Sequence, residues 1–251
     1  MVQDINSDIL NLIKSDNDKN FFKRIYSTKV SVYLGRLKAV GFDCMGKVLD
    51  AGCGFGQWSI ALSKLNQEVC AIDIRKDRIC MAKLMANKSK ISNIKYYLSS
   101  IENLPFPNNS FNGIFSYSVL YMLDFYRALN EFHRVLRANG KLYFTTNGLG
   151  WYLHNLLEAH NPSQDYSPRD MAIEAIKNSL EFYRSGRLRK NQAVIMPSDV
   201  VIKHLKGLGF REILSSGEGK IQIRSSTSSP VPFYKEKYFG EEGVYEVLCI
   251  K

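Results

Sequence analysis

The sequence has no C-x-x-C pair. Its five cysteines, Cys44, Cys53, Cys70, Cys80 and Cys249, are scattered through 251 residues, and no histidine cluster matches them. Structural zinc and a disulfide framework are thereby disfavoured, and the thiols read as reduced packing groups. Long apolar runs are missing as well. The opening stretch, MVQDINSDILNLIKSDNDKN, breaks every hydrophobic run with polar or charged residues. That argues against a secretory signal or a membrane span and for a cytoplasmic location. A concentrated basic patch is also lacking. The net charge of +10 is dispersed, and its densest run, RSGRLRK at residues 184–190, has no interleaved aromatics of the kind that stack single-stranded bases. Such charge can attract nucleic acid, an anionic membrane or a phosphorylated ligand, but when dispersed it reads as solvated surface. No internal repeat is present.

What remains is a chain long enough for one elaborated α/β domain, with an ordinary hydrophobic share of 45%. The first forty residues carry helical spacing, first through Ile5, Ile9, Leu12 and Ile13, then through Tyr26, Val30, Tyr33, Leu34 and Leu37, with Gly41 as the stop. From Lys47 short β-rich runs alternate with helical stretches, the pattern of βαβ units. Strands are expected at 47–51, 68–74, 94–99, 112–118 and 141–147. Helices between them show apolar faces such as Ile79, Ala82, Met85 and Ala86, or Phe125, Leu129, Phe132 and Leu136. After Asn147 the rhythm changes, and residues 148–197, with Ile173, Ile176, Leu180 and Tyr183 on one helix face, are expected to form a helical lid insertion. Ser198 can cap a following helix that ends at Gly207 or Gly209. REILSS and VYEVLCIK then supply two last strands, and the segment 225–240 between them is expected to be a loop reaching back over the active site. A single domain follows, with N-terminal helices at 1–43, a binding core at 44–147, the lid at 148–197 and a C-terminal helix and strands at 198–251.

The strongest local signal is VLDAGCGFG, Val48 to Gly56. A buried strand runs into glycines at 52, 54 and 56, and a helix begins near Gln57. Such a loop lets backbone approach a ligand closely, and its amides suit an anionic group, carboxylate or phosphate. A dinucleotide loop obeys the same physics. Spacing separates the two, because Gln57 stands where the third dinucleotide glycine would fall, and Asp50 precedes the first glycine by two. An acid at that place would face a pyrophosphate but suits an ammonium.

These residues resemble the first motif of class I S-adenosylmethionine-dependent methyltransferases, and about a hundred residues, 47–147, match that family in order. The resemblance implies a Rossmann-like sheet of seven strands, mostly parallel with the last antiparallel. Helices cover both faces, and the ligand crevice lies where strand order reverses. It also implies that Asp50, Gly52, Cys53 and Gly54 cradle the methionine end, and that Asp73, with Ile74 after it, closes the second strand and accepts both ribose hydroxyls. SSIENLPFPNNSFNGIFSYSVLYML is similar to the segment passing the adenine edge, which puts Ser100, Ile101 and Glu102 beside the ring. Ser100 stands where the family often has an aspartate. Ser116 would offer its backbone to the methionine part, and Tyr117 to Tyr121 would face the transferred methyl. Ala138-Asn139 replaces the usual Pro-Gly before Gly140, where Asn-Gly still supports a turn. His133, on the preceding helix, reads as structural or surface.

In-line transfer from a sulfonium needs no metal, only alignment, exclusion of water and a base where the nucleophile must lose a proton. Candidate bases are His154 and Tyr121. Candidate substrate contacts are Tyr117, Trp151 and Tyr152, for which lid packing is the competing role, as it is for Tyr26 and Tyr33 over the cofactor. The expected activity is O-methylation of a small molecule, such as a sugar or surface-polysaccharide precursor, leaving S-adenosylhomocysteine. An RNA methyltransferase is the alternative that the charge suggests. It is opposed by SYSVLY at the end of the fourth strand, where adenine-methylating enzymes resemble one another in Asp-Pro-Pro-Tyr or Asn-Pro-Pro-Tyr, and by the lack of a Pro-Cys nucleophile. A non-catalytic cofactor-binding subunit is a third reading. No membrane partner is expected, and the oligomeric state is left open.

Overall fold

The computed structural model describes residues 7–189, 193–224 and 232–251. Ile5, Lys190 at the end of the basic run, three residues of the expected lid (190–192) and the 225–231 part of the C-terminal segment lie outside the described residues.

Three helices lead in: α1 (Ser7–Asn11), α2 (Asp16–Ser27) and α3 (Val30–Ala39). The periodic stretch from Tyr26 to Leu37 is therefore two helices, broken where Thr28 and Lys29 take extended conformations. Gly41 follows the last of them with a φ of +67°. Then come β1 (Lys47–Ala51), α4 (Gln57–Ser63), β2 (Glu68–Asp73), α5 (Lys76–Lys88), β3 (Ile94–Leu98), β4 (Phe111–Tyr117), α6 (Phe125–Val135) and β5 (Leu136–Asn147). The remainder is α7 (Leu149–Glu158), α8 (Pro168–Ser185), α9 (Ser198–Gly207), β6 (Arg211–Gly217), a short hairpin of β7 (Lys237–Tyr238) and β8 (Glu241–Glu242), and β9 (Val244–Ile250).

Seven strands form one sheet in the order β3-β2-β1-β4-β5-β9-β6. β9 alone runs antiparallel to its neighbours, as expected. The chain builds outward from β1 to β3, returns to β4 on the other side, and so leaves a crevice where β1 and β4 end side by side. β1 and β2 read as continuous apolar runs because both sheet faces are covered. Val48, Val69, Phe115 and Tyr143 pack under α3 and α4, while Leu49, Cys70, Ile114 and Leu142 pack under α6 and α9. The α6 face of Phe125, Ala128, Leu129, Phe132 and Val135 is wholly buried. Each large side chain there contributes about 1.5–3 kcal/mol of transfer free energy.

Two local expectations are corrected. The Asn139-Gly140 pair is not a turn before a strand but an irregularity within β5, which already pairs with β4 at Leu136. Asn139, with φ of +62°, absorbs the extra residues, and the C-terminal Lys251 ties the place through hydrogen bonds with Asn139 and Gly140. Ser198 is not a cap. Pro197 holds that position, and the Ser198 amide donates instead to Glu242 at 3.1 Å.

Part of the segment after β6 is ordered as the β7–β8 hairpin, and α7 rests against it. A Cβ on Gly150 would lie 2.5 Å from the Glu241 carbonyl oxygen, so the Gly-Leu-Gly start of this helix lets the two backbones touch. Among the described residues no helix is long and apolar enough to cross a membrane.

Candidate active site

β1 delivers the loop into the crevice. Gly52 has φ of +80°, and a Cβ there would collide with the Val119 side chain just past β4. Only glycine therefore allows the loop to pass so near the β4 exit. The amides of Gly52 and Cys53 both donate to the Ile72 carbonyl, at 2.8 and 2.9 Å, which anchors the loop to the end of β2. Beside that anchor sits Asp73. One of its oxygens accepts from the Gly54 amide and the other from the Arg75 amide, both at 2.9 Å. These bonds orient the carboxylate and leave each oxygen a further lone pair, a fit for the two hydroxyls of a ribose.

Asp50 lies beneath the loop, 1% exposed, accepting from the Ser59 hydroxyl at 2.5 Å. Burial pushes its carboxyl up to about 7, against the opposing pull of the Ser59 hydrogen bond. A cationic group placed nearby would favour the ionised form, which suits the ammonium of a methionine. Ile74, next to Asp73, is 71% exposed, an apolar side chain left in water at the rim where a flat base could cover it.

The side chains expected at the adenine edge have partners within the chain. The Ile101 side chain is buried in the core, and Glu102 turns its carboxylate to the Asp124 amide at 3.1 Å. The Ser100 hydroxyl accepts from the Glu102 amide at 3.1 Å. The side chains of Ser100 and Glu102 thus serve local structure. Ser116 is fully buried, its hydroxyl donating to the Ala51 carbonyl at 2.9 Å, which clamps β4 to β1 at the crevice.

Helix α2 lies across the loop. The Tyr26 hydroxyl donates to the Phe55 carbonyl at 2.7 Å, Phe22 meets the Phe55 ring edge-on, and Asp18 binds both Arg75 and Arg78 at 2.7 Å. Tyr33 belongs to α3 and donates to the Ile25 carbonyl at 2.8 Å. Asp18 and Arg78 were not legible as site residues. A lone acid in a first helical turn is ordinary, and only the folded chain brings it to Arg75, which precedes α5, and to Arg78 within it.

On the acceptor side the expected residues divide. Tyr117 is half-buried, and its hydroxyl donates to Glu218 at 2.6 Å. Tyr152 is fully buried in the α7–α8 core, with its hydroxyl on the Val194 carbonyl at 3.4 Å. Both hydroxyls are occupied within the protein. Tyr121, just past β4, is half-buried, and burial, reinforced by the nearby phenols of Tyr234 and Tyr166, pushes its own phenol well up. His154 stacks on Tyr238 with ring centres 4.3 Å apart, and its Nδ1 lies 3.1 Å from Glu158 without hydrogen-bond geometry. Trp151 is the hub of this group, touching His154, His160, Tyr234 and Tyr238. The cluster borders a cavity of about 700 Å³ shaped mainly by residues 232–238, and no residue of the glycine loop lines it. His154 is therefore grouped with the C-terminal loop, whereas Tyr121, two residues after the Val119 that meets Gly52, packs against the α7–α8 cluster around Tyr152.

Glu218 explains how that C-terminal segment is held. It pairs with Arg36, accepts from Tyr117, and takes the Phe233 and Tyr234 amides at 2.7 and 3.3 Å. Burial works against the Arg36 charge, but the groups around it, among them the paired Glu218 carboxylate, more than offset this and raise its pKa. A parallel contact joins Tyr143 to Glu246 at 2.6 Å.

Residues 49–144 match the family model of the methyltransferase domain. The uncharacterized methyltransferase YcgJ of Bacillus subtilis is 29% identical over 139 residues, covering 55% of this chain and 48% of that protein. A malonyl-[acyl-carrier protein] O-methyltransferase of Hamiltonella defensa is 28% identical over 196 residues, covering 74% and 73%. The chain spans about half the length of the first of these relatives. Among solved structures, geranyl diphosphate methyltransferase in complex with S-adenosylmethionine superposes with a TM-score of 0.61 at 12% identity, covering 98% of this chain and 94% of that one. A methyltransferase of Aquifex aeolicus gives 0.56 at 17%, covering 94% and 99%. Residues 49–144 thus match a methyltransferase domain, and the chain has the fold of the solved S-adenosylmethionine-dependent methyltransferases on which it superposes.

Proposed function

We propose that the protein transfers the methyl group of S-adenosylmethionine to an oxygen of a small molecule, for which a sugar or a surface-polysaccharide precursor is the working class. The observation that carries the reading is the joint placement of Asp73 and Asp50 around the loop amides. One carboxylate is oriented by two amides for a diol, and the other is buried, its carboxyl pushed up to about 7, where a nearby cation would favour the charged form. Asp73 would hold the ribose, Asp50 and the backbone of Gly52 to Gly54 the methionine end, and Ile74 one face of the base. The bound cofactor supplies an electrophilic methyl on a sulfonium.

The protein's share is alignment and exclusion of water. Helix α2 closes the loop side through Tyr26 and Asp18, and the C-terminal segment held by Glu218 closes the other. Tyr121, kept protonated by burial, acts as a hydrogen-bond donor that orients the acceptor oxygen rather than as its base. His154 is the side chain able to take a proton from an acceptor reaching into the cavity. Its place among the 232–238 residues makes that role depend on a substrate long enough to span both sites.

Calorimetry with S-adenosylmethionine, S-adenosylhomocysteine and NAD tests the donor, followed by labelled-methyl transfer to a panel of sugars, nucleotide sugars and carboxylic acids. The first two ligands should bind and NAD should not. Binding of NAD with no response to the others would overturn the reading, and cofactor binding without turnover on any sugar would overturn the acceptor class.

A further inference from the structure

We infer that the cavity beside α7 is a subsite for an anionic group, carboxylate or phosphate, carried by the acceptor. This rests on the methyltransferase reading only for the word acceptor, since the subsite is argued from its own residues. Its wall is aromatic. His154, His160, Phe233, Tyr234 and Tyr238 line it, with His154 5.2 Å from His160 and stacked on Tyr238, and behind them Trp151 meets His160 at 5.3 Å and Tyr234 at 5.2 Å between ring centres. Its rim is cationic. Of the carboxylates lining it, Glu218 is taken by Arg36 and Glu236 by Lys220. Lys235 and Lys237 also line it, both exposed, and neither has a carboxylate partner among the described residues. Once the internal pairs are subtracted, Lys235 and Lys237 are left as the unpaired cations among the described lining residues, with the exposed Glu158 beside His154 to oppose them.

The arrangement is built. Glu218 fixes the backbone of Phe233 and Tyr234, the β7–β8 pairing fixes Lys237 and Tyr238, and Asn161 lies 2.7 Å from Nε2 of His160. Aromatic faces around free ammonium groups suit a flat or ring-bearing molecule with a negative end. Tyr234 lines the cavity and is held by Glu218, which also accepts from Tyr117 at the end of β4.

The chain has two tryptophans, and Trp58 is buried in the core. Trp151 does not itself line the cavity but packs against His154, His160, Tyr234 and Tyr238, which do, so its emission reports changes at that wall. Malonate, inorganic phosphate and pyrophosphate are titrated into the full chain, with and without S-adenosylhomocysteine, and W151F assigns the signal. Saturable quenching is expected with at least one probe, and the responding probe separates a carboxylate from a phosphate preference. In the K235Q/K237Q variant its affinity should fall about tenfold, the loss of two partly screened charge contacts. No saturable response below about 0.1 M ionic strength, or equal affinity in the lysine variant, would overturn the inference. Cofactor calorimetry on the same samples is independent. Failure there removes the donor reading and leaves the anion result standing, and the reverse outcome removes only the subsite.

Discussion

Glu218→Gln probes the largest electrostatic commitment in the interior. Arg36 is 4% exposed and Glu218 1%, so removing the negative charge leaves a guanidinium buried without its counterion. Breaking one side of such a pair costs roughly 3–5 kcal/mol. Arg36 Nη1 already lacks a hydrogen-bond partner, which leaves little compensation at hand. For a domain of this size the loss corresponds to a fall in Tm of roughly 10 °C. The glutamine keeps one oxygen for Tyr117 or for the Phe233 amide, but not the charge that makes those bonds strong. Pairing the change with Arg36→Met should recover part of the loss, because two uncharged groups no longer need solvation, and the coupling energy in the cycle should exceed about 1 kcal/mol. Urea melts on the four proteins measure this. Additive effects, or a single-variant cost under about 1 kcal/mol, would refute the view that the pair is a dry, mutually dependent unit. Cofactor affinity should survive in Glu218→Gln, since the glycine loop takes no bond from Glu218, while acceptor affinity should fall with the displaced 232–238 segment.

Asp73→Asn should weaken S-adenosylmethionine binding by about tenfold or more, since charge-assisted hydrogen bonds are worth about 1.5–3 kcal/mol each; unchanged calorimetric affinity with an unaltered fold would remove the ribose assignment. Gly52→Ala meets both the positive φ and the Val119 side chain, so it should destabilise by more than about 1 kcal/mol and abolish cofactor binding, and a stable, binding-competent variant would contradict the loop geometry. Asp50 has a folded carboxyl near 7 against about 3.9 unfolded, so the native chain without cofactor retains a proton that the unfolded chain releases, and stability falls as pH rises between those values. Asp50→Asn should flatten that slope in urea melts at about pH 5 and about pH 7, and an identical slope would place the titration elsewhere. Asp165 accepts the Asp16 and Asn17 amides at 3.1 and 2.9 Å, joining α2 to the α7–α8 connection, so Asp165→Ala should speed amide exchange at residues 16–18. Unchanged exchange there would mean that the two covers are not coupled.

The strands β1, β2 and β4 were legible because they are covered on both faces and therefore appear as short apolar runs between glycines and polar turns, whereas the sheet's antiparallel last strand and reversal of order followed from the family resemblance. Boundaries were less legible. The start of β5 was hidden because Arg137, Ala138 and Asn139 carry no β pattern; their extended course depends on pairing with β4 and on the hydrogen bonds of Lys251. The break at Thr28-Lys29 was invisible for a related reason. Helical spacing continues across it, and the turn is imposed by Tyr26 and Tyr33 hydrogen-bonding to Phe55 and Ile25.

The two halves of the candidate site differ in legibility for a physical reason. The donor half is built from consecutive residues of one βαβ unit, so Asp50, Gly52, Gly54 and Asp73 sit within a short span, and their spacing is itself the geometry. The acceptor half is assembled from places far apart in sequence, such as Tyr117 and Glu218, 101 positions apart, or Trp151 and Tyr234 in different elements. Nothing local requires these residues, since tyrosine in a strand and lysine in a loop are ordinary choices. They become a site only because β9 returns antiparallel beside β5 and carries the segment before it back across the crevice, where Arg36 on α3 pins it. On the proposed function, a change in that segment would alter which molecule is methylated without touching the glycine loop. It follows that among proteins sharing the 49–144 domain, differences in acceptor should follow the 148–243 region rather than the glycine motif.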